Sequence, residues 1–197
     1  MKSSPALAIV AGTLLFLPSV AGAGAHTWDV NELFSNADGT IQFVELLEAN
    51  GTANELGLPN VMLMSSTQTF RIGGGPLVAP TSNKFFLIAT AEFAALEGAP
   101  TPDAIIPAGN VSFFSIDGDT VSYGPYDSLV FSMGELPING IDSLNADGSM
   151  GMNSPTNYSG EMGTVDVPEP DAALLAWAAI VTLVSIRQTA DRGKIRG

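Results

Sequence analysis

Apolar residues in the middle of this chain come in short runs, broken at near-regular intervals by glycine and proline. Eight such runs read as strands: 27–34, 40–47, 61–65, 68–72, 84–89, 111–115, 120–123 and 128–132. Turn-forming clusters lie between them, as in Gly73-Gly74-Gly75-Pro76, Ala99-Pro100-Thr101-Pro102 and Tyr123-Gly124-Pro125. Short strands at that spacing predict a mainly β domain, an antiparallel sandwich or barrel. Trp28 and Val30 alternate with Asp29 and Asn31, the pattern of a half-buried strand. The run Lys84-Phe85-Phe86-Leu87-Ile88-Ala89 is almost wholly apolar and fits a central strand covered on both faces. A single short helix is expected over 91–97, with Thr90 as its N-cap and Gly98 at its end.

Both ends differ from this middle. Lys2 precedes an uncharged apolar stretch over 6–17, and Ala21-Gly22-Ala23 and Ala23-Gly24-Ala25 each offer the small-x-small spacing read by signal peptidase. Residues 1–25 are therefore expected to be an export leader, with the mature chain starting near His26. At the other end Val167-Pro168-Glu169-Pro170 precedes an uncharged stretch over 172–186, followed by Arg187, Arg192, Lys194 and Arg196. That stretch is apolar all around, which suits a membrane segment better than a one-sided helix. At about 1.5 Å per residue it is shorter than the usual span of about 20 residues, a shortfall that snorkelling by Arg187 and local thinning would cover. The bases place the tail 187–197 on the cytoplasmic side and the body outside.

The order V-P-E-P, short hydrophobic helix, basic tail is similar to the PEP-CTERM sorting signal, whose reader is an exosortase, a membrane-embedded cysteine-dependent enzyme of Gram-negative bacteria. The resemblance covers about the last thirty residues and implies that Pro168, Glu169 and Pro170 are the recognition triplet. It also implies transient anchoring in the inner membrane, then delivery to the cell surface, the outer membrane or the extracellular matrix. In physical terms the two prolines lack an amide hydrogen and lock φ, so Glu169 is held on an extended backbone. A rigid spacer before an anchor is the alternative reading of the same residues.

Of the chain's 20 acids, all but Glu169, Asp171 and Asp191 fall within 26–166, where Arg71 and Lys84 are the only bases. Such a charge repels phosphate and excludes a nucleic-acid partner. The absence of cysteine excludes disulfide scaffolds, zinc–thiolate sites and thiol nucleophiles. With His26 the only histidine, Ser65, Ser66, Ser82 and Ser154 have no other imidazole to serve as general base. Glu45, Glu48 and Glu55 are the acids from which a hydrolase carboxylate pair would be drawn, though solvated charge is the plainer reading of acids in so acidic a chain. No enzyme is expected.

Two Asn-Ala-Asp-Gly stretches, at 36–39 and 145–148, and a third Asp-Gly at 117–118 read as type I′ hairpin turns. The other reading is calcium, the one cofactor these acids suit, with Asp117, Asp119 and Asp127 as ligands. No segment carries a full EF-hand loop.

Trp28-Asp29-Val30-Asn31-Glu32-Leu33-Phe34 followed by Ile41-Gln42-Phe43-Val44-Glu45-Leu46 resembles the opening of a lamin-tail domain, and Ser154-Pro155-Thr156-Asn157 resembles that family's closing S-P-x-x-N turn. The resemblance implies an immunoglobulin-like β sandwich that binds or builds rather than catalyses. Three segments are thus expected: leader 1–25, β sandwich 26–166 and sorting signal 167–197. The expected partners are signal peptidase, exosortase, the membrane through 172–186, and extracellular polysaccharide. A calcium-dependent carbohydrate-binding or adhesion module is the alternative, and a secreted hydrolase a third.

Overall fold

A computed structural model describes residues 24–107 and 112–167. The leader over 1–23, the Pro168-Glu169-Pro170 triplet, the apolar stretch 172–186 and the tail with Arg187, Arg192, Lys194 and Arg196 lie outside the described residues.

The described chain is mainly β. In order it forms β1 (Trp28–Ser35), β2 (Gln42–Glu48), β3 (Met62–Met64), β4 (Thr69–Arg71), β5 (Phe85–Thr90), helix α1 (Ala91–Ala94), β6 (Ala104–Ile106), β7 (Gly118–Tyr123), β8 (Asp127–Ser132), β9 (Asp142–Asn145) and β10 (Met150–Met152). Six strands make one sheet, β10-β9-β1-β2-β5-β6, and four make the other, β4-β3-β7-β8. Every pairing is antiparallel except β5 with β6. Parallel neighbours need a crossover of about a dozen residues; residues 91–103 supply it, carrying α1.

Strand periodicity sorts the side chains into two layers. Trp28, Val30, Leu33, Val44, Leu46, Phe86 and Ile88 of the larger sheet face Leu63, Val121, Tyr123, Leu129 and Phe131 of the smaller one, and the main core lies between them. A second apolar cluster covers the other face of the larger sheet: Phe34, Phe43, Leu87 and Ala89 beneath Phe93 of α1, Val165 and Val167. The expected covering of 84–89 on both faces is therefore present, since Phe86 and Ile88 point one way and Leu87 and Ala89 the other.

The alternation in β1 holds only as far as Val30. The register against β2 slips between Val30 and Glu32, leaving Asn31 as an extra residue. Such a bulge re-phases the strand, so Trp28, Val30 and Leu33 all reach the inner core while Glu32 and Phe34 turn outward. Phe34 then stacks on Phe43 directly across the ladder, centroids 5.4 Å apart.

Several expectations need correction. The expected strand at 111–115 is absent over 112–115; Phe113 and Phe114 are buried, but their amide hydrogens go to the Gln42 carboxamide oxygen rather than to a ladder. Strands β6, β9 and β10 were not expected: Ala104-Ile105-Ile106 is only three residues long between Pro102 and Pro107, and Asp142-Ser143-Leu144-Asn145 and Met150-Gly151-Met152 are short and carry little apolar pattern. Helix α1 stops at Ala94, short of 97, though Thr90 does cap it by accepting from Phe93 N. Gly39 and Gly148 take positive φ in the β1–β2 and β9–β10 connections, but Asp38 and Asp147 do not, so neither turn is type I′. Each Asp instead accepts from the backbone N–H two residues on, Thr40 or Ser149. Asp117-Gly118 is no hairpin turn: Gly118 opens β7. Ala25 is buried in the main core, and Val167 is buried with its N–H donating to the Gly140 carbonyl at 2.9 Å.

Candidate functional site

The most distinctive side-chain arrangement lies on the outward face of β1 and β2. The bulge at Asn31 brings Glu32 directly opposite Glu45, and each is 1% exposed. Two carboxylates at one cross-strand position should repel, so something must hold them there. That partner is the irregular segment after β10. Glu32 accepts from Ser154 N at 2.9 Å, Ser154 Oγ at 3.0 Å and Ser143 Oγ. Glu45 accepts from Thr156 N at 2.6 Å and from Asn31 Nδ2 at 2.7 Å. The residues that carry the lamin-tail resemblance, far apart in the chain, thus form one hydrogen-bonded seam.

Burial raises the Glu45 carboxyl most; the Asn31 and Thr156 donors oppose that rise and the Glu32 charge adds to it, leaving Glu45 pushed up to about 8. A proton kept on Glu45 near neutral pH relieves the repulsion. Neither carboxylate has the exposure that a general acid working on an outside substrate needs, and every hydrogen bond named here goes to the chain itself. Chemically, the seam clamps the segment after β10 onto the larger sheet.

The clamped segment is further fixed by Asn153 and Asn157. Asn153 is buried and holds Val165 on both sides, accepting from its N–H at 2.8 Å and donating to its carbonyl at 2.7 Å. Asn157 closes a turn with Glu161, and its Nδ2 also reaches the Thr101 carbonyl. Asp103, between β5 and that turn, accepts from Leu87 N and Tyr158 N; burial still leaves its pKa raised.

The expected site residues are not gathered. Asp117 is exposed in the turn before β7, whereas Asp119 is buried and accepts from Ser66 N, Ser115 N and Thr120 N. Asp127 sits opposite Tyr123, four positions along β8 from the partner of Asp119, which separates the two acids by about 13 Å. Asp127 accepts from Val30 N at 2.7 Å, a β1 group that β9 leaves unpaired. Among the described residues no three His, Cys, Asp or Glu side chains are grouped to hold a metal ion. Glu45, Glu48 and Glu55 are equally dispersed. Glu48 lies at the far end of β2, where burial would raise it but the amides of Thr52 and Asn83 and the Thr27 side chain hold it low. Glu55 lies beside His26. The carboxylate pair exists, but its members are Glu32 and Glu45.

An open groove of about 620 Å³ runs between β8 and the β1/β9–β10 edge. Asp29, Asp127 and Glu135 line it together with the apolar Phe131, Leu144 and Met150. Asp29 is raised by burial and then by the charges of Asp127 and Glu48. A groove so lined disfavours anions and suits a cation or a ligand rich in hydrogen-bond donors.

Sequence reasoning missed Glu32, Gln42 and Asn153 as organising residues. A polar residue inside an otherwise apolar strand was the available signal for the first two; Asn153 stands in an irregular segment and carries none. Compared with models of known protein families and with curated protein sequences, the chain matches none.

Proposed function

We propose that this is an exported, non-enzymatic surface or extracellular-matrix protein whose C-terminal segment is a PEP-CTERM-type sorting signal read by an exosortase. Its body, on this reading, is a lamin-tail-like, immunoglobulin-like module that serves as passenger. The carrying observation is the join at Val167. Val165 and Val167 are packed against the larger sheet, and Val167 is hydrogen-bonded to Gly140 immediately before Pro168-Glu169-Pro170. Pro168 follows directly on a residue fixed to the body, and the two prolines of the triplet favour the extended backbone that such an enzyme reads. The Glu32–Glu45 seam supports the lamin-tail reading, because it unites the two opening strands with Ser154-Pro155-Thr156-Asn157. The test is replacement of Pro168-Glu169-Pro170 by three alanines in an exosortase-bearing host. Loss of C-terminal trimming, with the product retained in the membrane, is expected; an unchanged mature mass refutes the reading.

A second reading is favoured by the acidic groove: calcium-assisted binding of extracellular polysaccharide, with Asp127 as the one expected ligand that lines it. Calcium bound to the folded state raises Tm by mass action. Equal melting curves in calcium and in chelator dismiss it.

A further inference from the structure

The export reading, on which this inference rests, leaves two bonds for signal peptidase, after Ala23 or after Ala25. We infer that the bond cut is Ala23–Gly24, and that the amine released on Gly24 is held by the Glu55 carboxylate.

The choice of bond follows from what each cut removes. Ala25 is buried in the main core, and its carbonyl accepts from Tyr123 Oη at 2.8 Å. The Gly24 carbonyl accepts from Gly57 N at 2.8 Å. Cleavage after Ala25 takes away both acceptors and leaves the phenol of a fully buried tyrosine without its partner. Cleavage after Ala23 leaves every one of these contacts in place.

Glu55 explains the new terminus. It is 5% exposed and, among the described residues, forms no ion pair with lysine or arginine. Its Oε2 accepts from His26 N at 2.9 Å and lies 3.4 Å from His26 Nδ1, on an imidazole that is itself largely exposed. The same carboxylate is pressed against Gly24: a methyl group added there would stand 2.6 Å from Oε1 and 2.8 Å from Oε2. A side chain there would push the end of the Glu55 side chain aside, so glycine is the residue that leaves the carboxylate where it lies. The nitrogen of residue 24 stands on the same Cα, about 2.5 Å from that methyl position, and so no more than about 5 Å from Oε1.

In the uncut chain that nitrogen is a neutral amide. Hydrolysis adds one water across the bond, leaves a carboxylate on Ala23 and an amine on Gly24, and the amine takes up a proton below its ordinary pKa of about 8. The cation that balances a nearly buried glutamate is thus made by the processing step itself. A body still joined to its leader lacks that cation, which couples processing to the stability of the fold.

The experiment starts from the full 197-residue chain expressed in a Gram-negative host, with the exported product analysed by N-terminal sequencing and intact mass. Gly24 as first residue is expected. Any other new terminus, His26 included, overturns the inference while leaving export standing; a product that retains residues 1–23 refutes the export reading itself. The ion pair is then read by the rate at which an amine-specific reagent labels the α-amine of that product at different pH values. In the native protein the labelling midpoint should lie above the ordinary α-amine range and fall back into it in denaturant. E55Q should label several-fold faster than wild type at pH 7. A native midpoint in the ordinary range refutes the pair from wild-type protein alone, whether or not E55Q folds, and equal rates for a folded E55Q do the same.

Discussion

Replacing Glu45 by glutamine tests whether the glutamate seam is a pH-dependent clamp. Burial and the neighbouring Glu32 push Glu45 from an ordinary 4.5 up to about 8. Between those values the folded chain keeps a proton that the unfolded chain has lost, so stability falls as pH rises. The contribution is fully present below pH 4.5 and is lost as pH climbs through 8. One proton corresponds to about 1.4 kcal/mol per pH unit, which makes the total loss roughly 5 kcal/mol, with about 3 kcal/mol of it gone by pH 7. That is a large part of a typical domain stability of about 5–15 kcal/mol. Glutamine has the shape of the protonated acid and cannot ionise. Its Oε1 can take over the Thr156 N–H, and its Nε2 can donate to Asn31 once that carboxamide flips. E45Q is therefore expected to match wild type near pH 5 and to exceed it by about 4 kcal/mol at pH 9. Urea unfolding of both proteins at five pH values from 5 to 9 measures the difference, and the large net charge acts on both and cancels. A difference that stays constant to within about 1 kcal/mol across the range refutes the reasoning, because the proton would then not reside on Glu45.

Asp119 shows the opposite sign. Burial raises it, but the amides of Ser115, Ser66 and Thr120 prevail and hold it below the ordinary carboxylate range. Its stabilisation is present above pH 3.8 and lost as pH falls further, and D119N should cost about 2 kcal/mol at pH 7 by thermal unfolding; an unchanged Tm rejects this. N153A removes both side-chain bonds to Val165 and should cost about 2–3 kcal/mol. Limited proteolysis should then cut near Val165 at a denaturant concentration where wild type resists, and equal resistance would show that packing alone holds that segment.

What was legible in the sequence was whatever depends on local apolar pattern. The strands around Trp28, Phe43 and Leu87 announce themselves because each must bury one or two faces, and burial demands apolar residues at a fixed period. Strand β10 had no such signal: Met150 and Met152 are exposed at a sheet edge, so nothing in their burial constrains the sequence. The stretch with Phe113 and Phe114 misled for the converse reason. Both rings are buried as in a strand, but the backbone there finds its partner in a side chain, Gln42, which no periodicity reveals. For the site, Glu32 and Glu45 were visible as parts of a resemblance, yet not as neighbours. Their pairing depends on the bulge at Asn31, and a one-residue slip would send Glu32 into the inner core.

The same principle accounts for the buried polar groups of the body. Segments without a neighbouring strand must still satisfy their backbone, since an unpaired amide away from water costs about as much as a lost hydrogen bond. Here side chains on or beside the strands act as that missing neighbour: Glu32 for Ser154, Glu45 for Thr156, Gln42 for Phe113 and Phe114, Asp127 for Val30, Asn153 for Val165. An ionised carboxylate such as that of Asp119 suits the task, being an acceptor only and able to take several N–H groups at once, and the Glu45 carboxyl still accepts the Thr156 N–H when protonated. The acidity of this chain is therefore of two kinds. Exposed acids such as Asp117 set the net charge, whereas Glu32, Glu45 and Asp119 are components of the fold. Of the second kind, Glu32 and Glu45 set the path of the chain toward Val167 through Ser154 and Thr156. A perturbation that releases the seam should for that reason loosen Val165 and Val167 before it reaches the core between the sheets.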